Sequence, residues 1–144
     1  MKNKKLFFRI LIWLIWLALI FWMSHQDKEE TTLKAGVLRW ILDQLGIDGR
    51  QLMQGPYTLY IRKLAHITEY AILMILSLRI AILQWPYKKA ALYSLLFCIF
   101  YAATDEFHQT FIPGRVGTPV DVGIDMLGML LGLVAWSVFR RKSE

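Results

Sequence analysis

DEFHQTFIPGRVGTPVDVGIDMLG, residues 105–128, gathers the carboxylates of Asp105, Glu106, Asp121 and Asp125 with His108, Gln109 and Arg115 around a turn. An apolar run leads into this stretch and another leaves it. Ionisable groups are expensive in hydrocarbon and are tolerated where they meet partners, water or a protein interior. The stretch therefore reads as the connection between two membrane spans, with charged residues carried into the end of one and the start of the next.

The rest of the chain fits that reading. Of its 144 residues 56% are hydrophobic and 14% aromatic, a membrane-protein composition. Apolar runs over residues 6–23, 59–83, 90–110 and 120–139 each approach the roughly 20 helical residues that cross a hydrocarbon core of about 30 Å. The expected fold class is all-α: a polytopic membrane protein, a single domain over residues 1–144 built as a bundle of four transmembrane helices. An amphipathic outer helix is expected between the first and second spans, because Leu33, Val37, Leu38, Ile41, Leu42 and Leu45 recur at helical spacing before Gly46. Lys2, Lys4 and Lys5 precede the first span as in a secretion signal, but FWMSHQD after it lacks a small-residue cleavage site, so a retained anchor is expected. Cys98 is the only cysteine, which excludes a disulfide or a thiolate zinc site within one chain.

Charge orients the bundle, since short cytoplasmic segments collect Lys and Arg. On the side of the N-terminus lie Lys2, Lys4, Lys5, Arg9, Arg79, Lys88, Lys89, Arg140, Arg141 and Lys142, with Glu144 as the only acid. The opposite side carries Lys28, Lys34, Arg39, Arg50, Arg62, Lys63 and Arg115 against ten acids. Both termini are thus expected in the cytoplasm of a multi-pass protein of the cell membrane. The net charge of +6 reflects topology and contact with anionic lipid, and gives no support to nucleic-acid binding.

In the second span Arg62, His66 and Glu69 follow a spacing that stacks them on one helix face. At 1.5 Å per residue Glu69 lies roughly 10 Å below the outer boundary, and Asp105 of the third span roughly 9 Å below it. Asp105, His108 and Gln109 share a face by the same periodicity. On the fourth span Asp121 and Asp125 are one turn apart, and their face continues through Gly128 and Gly132. This G-x-x-x-G pair permits close helix approach within the bundle, or in a homodimer through Gly128 and Gly132. Pro113 and Gly114 suit the centre of a type II turn that presents Arg115 at the outer mouth. Thr118, Pro119 and Asp121 fit an N-cap, a first helical position and a capping-box acid.

Two segments, RKLAHITEYAILMILSLR (62–79) and DEFHQTFIPGRVGTPVDVGIDMLGMLLG (105–132), resemble the signatures of the VanZ-like family, named after a membrane protein linked to teicoplanin resistance. SHQ after the first span resembles the family's start of the outer segment. The resemblance selects Lys63, His66, Glu69 and Tyr70, then Asp105, Glu106, Gln109, Pro113, Gly114 and Arg115, then Asp121, Asp125 and Gly128. It implies an integral membrane protein of the bacterial cell envelope and a link to glycopeptide susceptibility in at least one relative.

Three classes of function follow. In the first, Arg62, Lys63, His66, Glu69, Tyr70, Asp105, Glu106, Gln109, Arg115, Asp121 and Asp125 line an outward-facing polar pocket. Its ligand would be a lipid head group, a cell-wall precursor or a glycopeptide, held by guanidinium donors. The acids outnumber the bases, so an anionic ligand requires carboxylate protonation or a bound cation. In the second, the protein is a metal-assisted enzyme on a lipid-linked substrate, with His66, Glu69, Asp105 and Asp125 as candidate ligands or acid–base groups. No H-E-x-x-H, G-x-S-x-G or P-loop is present, and no cofactor is identified. In the third, the polar network fixes helix register and nothing more. Proton or ion conduction is disfavoured, because the cytoplasmic halves of the spans lack matching ionisable groups.

Overall fold

The structure is a computed structural model that describes residues 2–25, 44–46, 48 and 57–141. Its long helices are α1 (Lys2–Ser24), α2 (Tyr57–Ala81), α3 (Tyr87–Gln109) and α4 (Pro119–Arg141). All four are long and apolar enough to cross a membrane. The helices over 2–24 and 119–141 contain their apolar runs, α2 ends two residues short of the expected 83 and α3 one short of 110, and α3 starts earlier than hydropathy indicates because Pro86 supplies its N-cap. A proline ends the preceding turn and its carbonyl accepts the first helical bond, from Ala90 N at 3.0 Å. The expected amphipathic outer helix, and Gln26 of the SHQ segment, lie outside the described residues.

Large apolar side chains cover the outside of the bundle: Phe8 and Ile15 of α1, Phe100 and Phe107 of α3, and Leu131 and Phe139 of α4 are all exposed. A water-soluble fold would not leave such a belt uncovered. The interior is small and mixed. Ile20, Tyr70, Leu73, Met74, Cys98, Ala102 and Met129 form the principal apolar cluster, and a second around Leu78, Ala81 and Ala90 continues it toward the basic end.

The α2–α4 pair is the closest-packed seam. A Cβ added to Gly128 would lie 2.3 Å from the Ile67 carbonyl oxygen, and one on Gly132 would lie 2.4 Å from that of Ala71. The glycine pair is therefore filled by α2 of the same chain, so a homodimer would have to meet the bundle on another face.

Lipid supplies no hydrophobic drive between helices, so packing and interhelical hydrogen bonds hold them together. Trp13 Nε1 donates to Ser77 Oγ at 2.9 Å, and Cys98 Sγ reaches the same oxygen at 3.7 Å, linking α1, α2 and α3 at mid-depth. Only 6% of the α1 span is buried, against 33% for α2 and α3, so these tethers matter most for α1. Arg9 adds another by donating to the Arg79 carbonyl at 2.6 Å.

Candidate functional site

The connection between α3 and α4 builds the polar end of the bundle. After Gln109 the chain tightens, with Phe111 N donating to His108 O and Ile112 N to Gln109 O. A turn then closes from Arg115 N to Ile112 O at 3.1 Å, with Gly114 at φ +75°. A positive φ at the third position is the type II signature, and glycine adopts it without steric cost. The turn directs Arg115 back over the bundle, where its guanidinium donates to the Met23 carbonyl of α1 at 3.3 Å.

Gly117 then runs against α3 so closely that a Cβ would lie 1.9 Å from the Glu106 carbonyl oxygen. At the start of α4, Asp121 N donates to Thr118 Oγ1 at 3.2 Å and the Thr118 hydroxyl donates to Asp121 Oδ2 at 2.9 Å. This is the expected cap with one difference. In a capping box the acid also accepts from the cap residue's own N–H. Here Thr118 N instead donates to Glu106 Oε2 at 3.0 Å, so a residue of α3 completes the cap of α4.

Behind the cap, Asp105, Glu106 and Gln109 of α3 and Asp125 of α4 are buried. Gln109 Nε2 donates to Glu106 Oε1 at 3.1 Å and to Asp105 Oδ2 at 3.3 Å, bridging two carboxylates that would otherwise repel. The Ser24 hydroxyl of α1 lies beside Asp105. Asp125 is fully buried, and neither of its oxygens accepts a hydrogen bond among the described residues. His66 Nδ1 of α2 stands 3.2 Å from Asp125 Oδ1, close enough for ion pairing but not aligned for a hydrogen bond. The His66 side chain is 24% exposed and forms the open rim of the group. Glu69, one helical turn further in, interacts electrostatically with His66, Asp105, Asp125 and Arg115. Tyr70 is fully buried within reach of the Asp105 and Asp125 charges.

Burial lowers the affinity of the Arg115 guanidinium for its proton, and Arg62 nearby acts the same way; Asp105, Glu106 and Glu69 oppose them. An arginine keeps its charge under such forces. It supplies a fixed positive group at the mouth, facing an excess of acids.

Of the residues selected from sequence, the structure thus brings together His66, Glu69, Tyr70, Asp105, Glu106, Gln109, Arg115 and Asp125. Asp121 is engaged by its own cap, although its charge still acts on Glu106 and Asp125. Arg62 is near Arg115, and Lys63 on the same turn of α2 makes no hydrogen bond or ion pair with these groups among the described residues. His108 departs from the face that periodicity gave it. Its ring stacks on Phe21 of α1 at 4.8 Å between centroids, and its Nε2 lies 3.3 Å from His25 Nδ1. Three residues along a helix turn a side chain about 60° from the starting direction, enough for α1 to claim His108 while Asp105 faces inward.

Among the described residues, one group brings possible metal-ligand atoms close together: His66, Glu106 and Asp125, mutually within 4.8 Å. It shares His66 and Asp125 with the candidate ligands read from the sequence and has Glu106 where Glu69 and Asp105 were expected. Sequence spacing undervalued Glu106, whose inward direction is fixed by the contact with Thr118.

A family model described as VanZ/LLP1 matches residues 8–140 of the chain. Comparison with curated proteins and with solved structures found no match.

Proposed function

The chain belongs to the VanZ/LLP1 family of membrane proteins, and from that premise we propose that it is an envelope protein whose polar pocket binds the head group of a lipid or lipid-linked cell-wall precursor. The pocket opens away from the cytoplasm, into which both termini project from the plasma membrane of a bacterium. The observation that carries this reading is Asp125: a carboxylate at 0% exposure, with no hydrogen bond to either oxygen among the described residues, beside three further acids. A network whose task is to fix helix register satisfies its polar atoms, because each buried unsatisfied one costs stability. Carboxylate lone pairs that the protein's described groups leave over, beside a partly exposed histidine, are acceptors available to a ligand. A glycopeptide that recognises the same precursor is a second occupant of this chemistry, and the link to teicoplanin susceptibility belongs to that reading.

Arg115 supplies the anion contact, because a guanidinium makes paired hydrogen bonds to phosphate or carboxylate. Charge-assisted bonds of this kind contribute about 1.5 to 3 kcal/mol. Purified protein in nanodiscs should therefore bind a lipid-linked precursor, with Arg115→Gln weakening binding by about 10-fold or more. Turnover of the precursor, abolished by both Asp105→Asn and Glu69→Gln, would move the reading to catalysis. Equal binding by wild type and Arg115→Gln would remove the anion site.

A further inference from the structure

We propose that His66, Glu106 and Asp125 hold a divalent transition-metal cation, and that this cation supplies the positive charge with which an acid-rich pocket takes an anionic head group. The proposal deepens the function proposed above and rests on that reading for its second half only.

The three residues come from α2, α3 and α4, and their ligand atoms lie within 4.8 Å of one another. In a tetrahedral zinc site with bonds of about 2.0 to 2.1 Å, neighbouring ligand atoms stand about 3.3 Å apart. Drawing this trio onto an ion requires side-chain movement of an ångström or so, without displacement of the helices. Asp125 is the anchor, since it is fully buried and both its oxygens are without hydrogen bonds among the described residues. Its neighbours already fix the orientation of a second ligand: Thr118 N holds one Glu106 oxygen at 3.0 Å and Gln109 Nε2 holds the other at 3.1 Å. Outer contacts of this kind orient metal-bound carboxylates and leave a lone pair on each oxygen for an ion.

Charge points the same way. Glu69 and Asp105 add their fields to those of Glu106 and Asp125, with Arg115 as the nearby guanidinium. A divalent cation removes most of that excess. One imidazole nitrogen with two carboxylates suits zinc or manganese better than magnesium or calcium, which favour oxygen alone. Three protein ligands would leave a coordination position open, and His66, the partly exposed member of the trio, marks the side from which a ligand can reach the ion. A phosphate or carboxylate oxygen can complete the shell there.

The test uses full-length protein in nanodiscs of zwitterionic lipid, stripped with chelator and re-equilibrated with Zn2+. Bound metal is counted by mass spectrometry, affinity is read by competition with a chelating dye, and Co2+ replaces Zn2+ for a visible ligand-field spectrum. One zinc per chain is expected, with affinity falling about 100-fold in His66→Gln and in Asp125→Asn, since even outer contacts are worth 10- to 100-fold. Circular dichroism checks that both variants keep their helices, and the Co2+ spectrum reports the coordination number and geometry, which should change in both site variants. The double variant of the other histidine pair, His25→Gln with His108→Gln, should keep full zinc stoichiometry. Zinc that survives both site variants, or that leaves with His25 and His108, overturns the proposal, as does a wild type that binds none. Zinc bound as expected, with precursor binding unchanged when chelator removes it, would leave the metal site standing and sink its part in taking the head group. Precursor binding by a wild type that takes up no zinc would sink the metal site and leave the head-group reading.

Discussion

Adding one methyl group at each of Gly128 and Gly132 is expected to lower the stability of the bundle by about 2 kcal/mol or more. In an exposed helix, glycine to alanine stabilises by up to about 1 kcal/mol per site. The sign therefore depends on space, and here space is absent. The new Cβ atoms would lie 2.3 and 2.4 Å from the backbone oxygens of Ile67 and Ala71. Backbone oxygens cannot rotate aside, so α2 and α4 must separate, losing the close packing on which helix association in lipid depends. Gly123→Ala is the control, because a Cβ there meets nothing within 4 Å. Unfolding in mixed detergent micelles should show the double variant Gly128→Ala/Gly132→Ala destabilised and Gly123→Ala equal to or above wild type. A double variant as stable as wild type would show that α2 and α4 do not meet at this seam.

Asp125→Asn should act in the opposite direction and raise the stability of metal-free protein by about 1 kcal/mol or more, because a buried charge costs more to desolvate than the amide that replaces it. Two effects compete at this residue. The attraction of His66 at 3.2 Å favours the carboxylate, and breaking a well-made buried ion pair costs about 3 to 5 kcal/mol. This pair is not aligned for a hydrogen bond, and His66 is partly exposed, so its ring can turn to water. Against that single partner stand desolvation of a fully buried charge and the repulsion of Asp121. Neutralisation at constant volume removes the repulsion and lowers the desolvation cost to that of an amide. A residue kept for function at the expense of stability behaves in this way. Thermal unfolding of chelator-treated wild type and variant decides it, and a loss of stability would favour a network that only fixes helix register.

The four spans were legible in the sequence because hydrocarbon demands long apolar helices, and hydropathy registers that demand directly. The Pro113–Gly114 turn and the Thr118 cap were equally readable, since both are local and depend on φ preferences and short-range hydrogen bonds. Partnerships between helices were not. Ser77 carries no signal in its own span, yet it joins Trp13 and Cys98 across three helices. Nothing near Glu106 in sequence announces that it caps a helix twelve residues later. His108 shows the opposite failure: periodicity placed it with Asp105, but α1, which periodicity within α3 cannot see, took it into a stack with Phe21. The glycine pair was ambiguous between an internal seam and a dimer until Ile67 and Ala71 were found against it.

The central claim is that acids and a histidine from three helices form one pocket, open on the side away from the basic ends. Cysteine accessibility in intact cells tests it most directly. In a Cys98→Ala background, a membrane-impermeant thiol reagent should modify Arg115→Cys and His66→Cys from outside, and Lys88→Cys only after lysis. Labelling of Lys88→Cys from outside, with Arg115→Cys and His66→Cys protected until lysis, would contradict it.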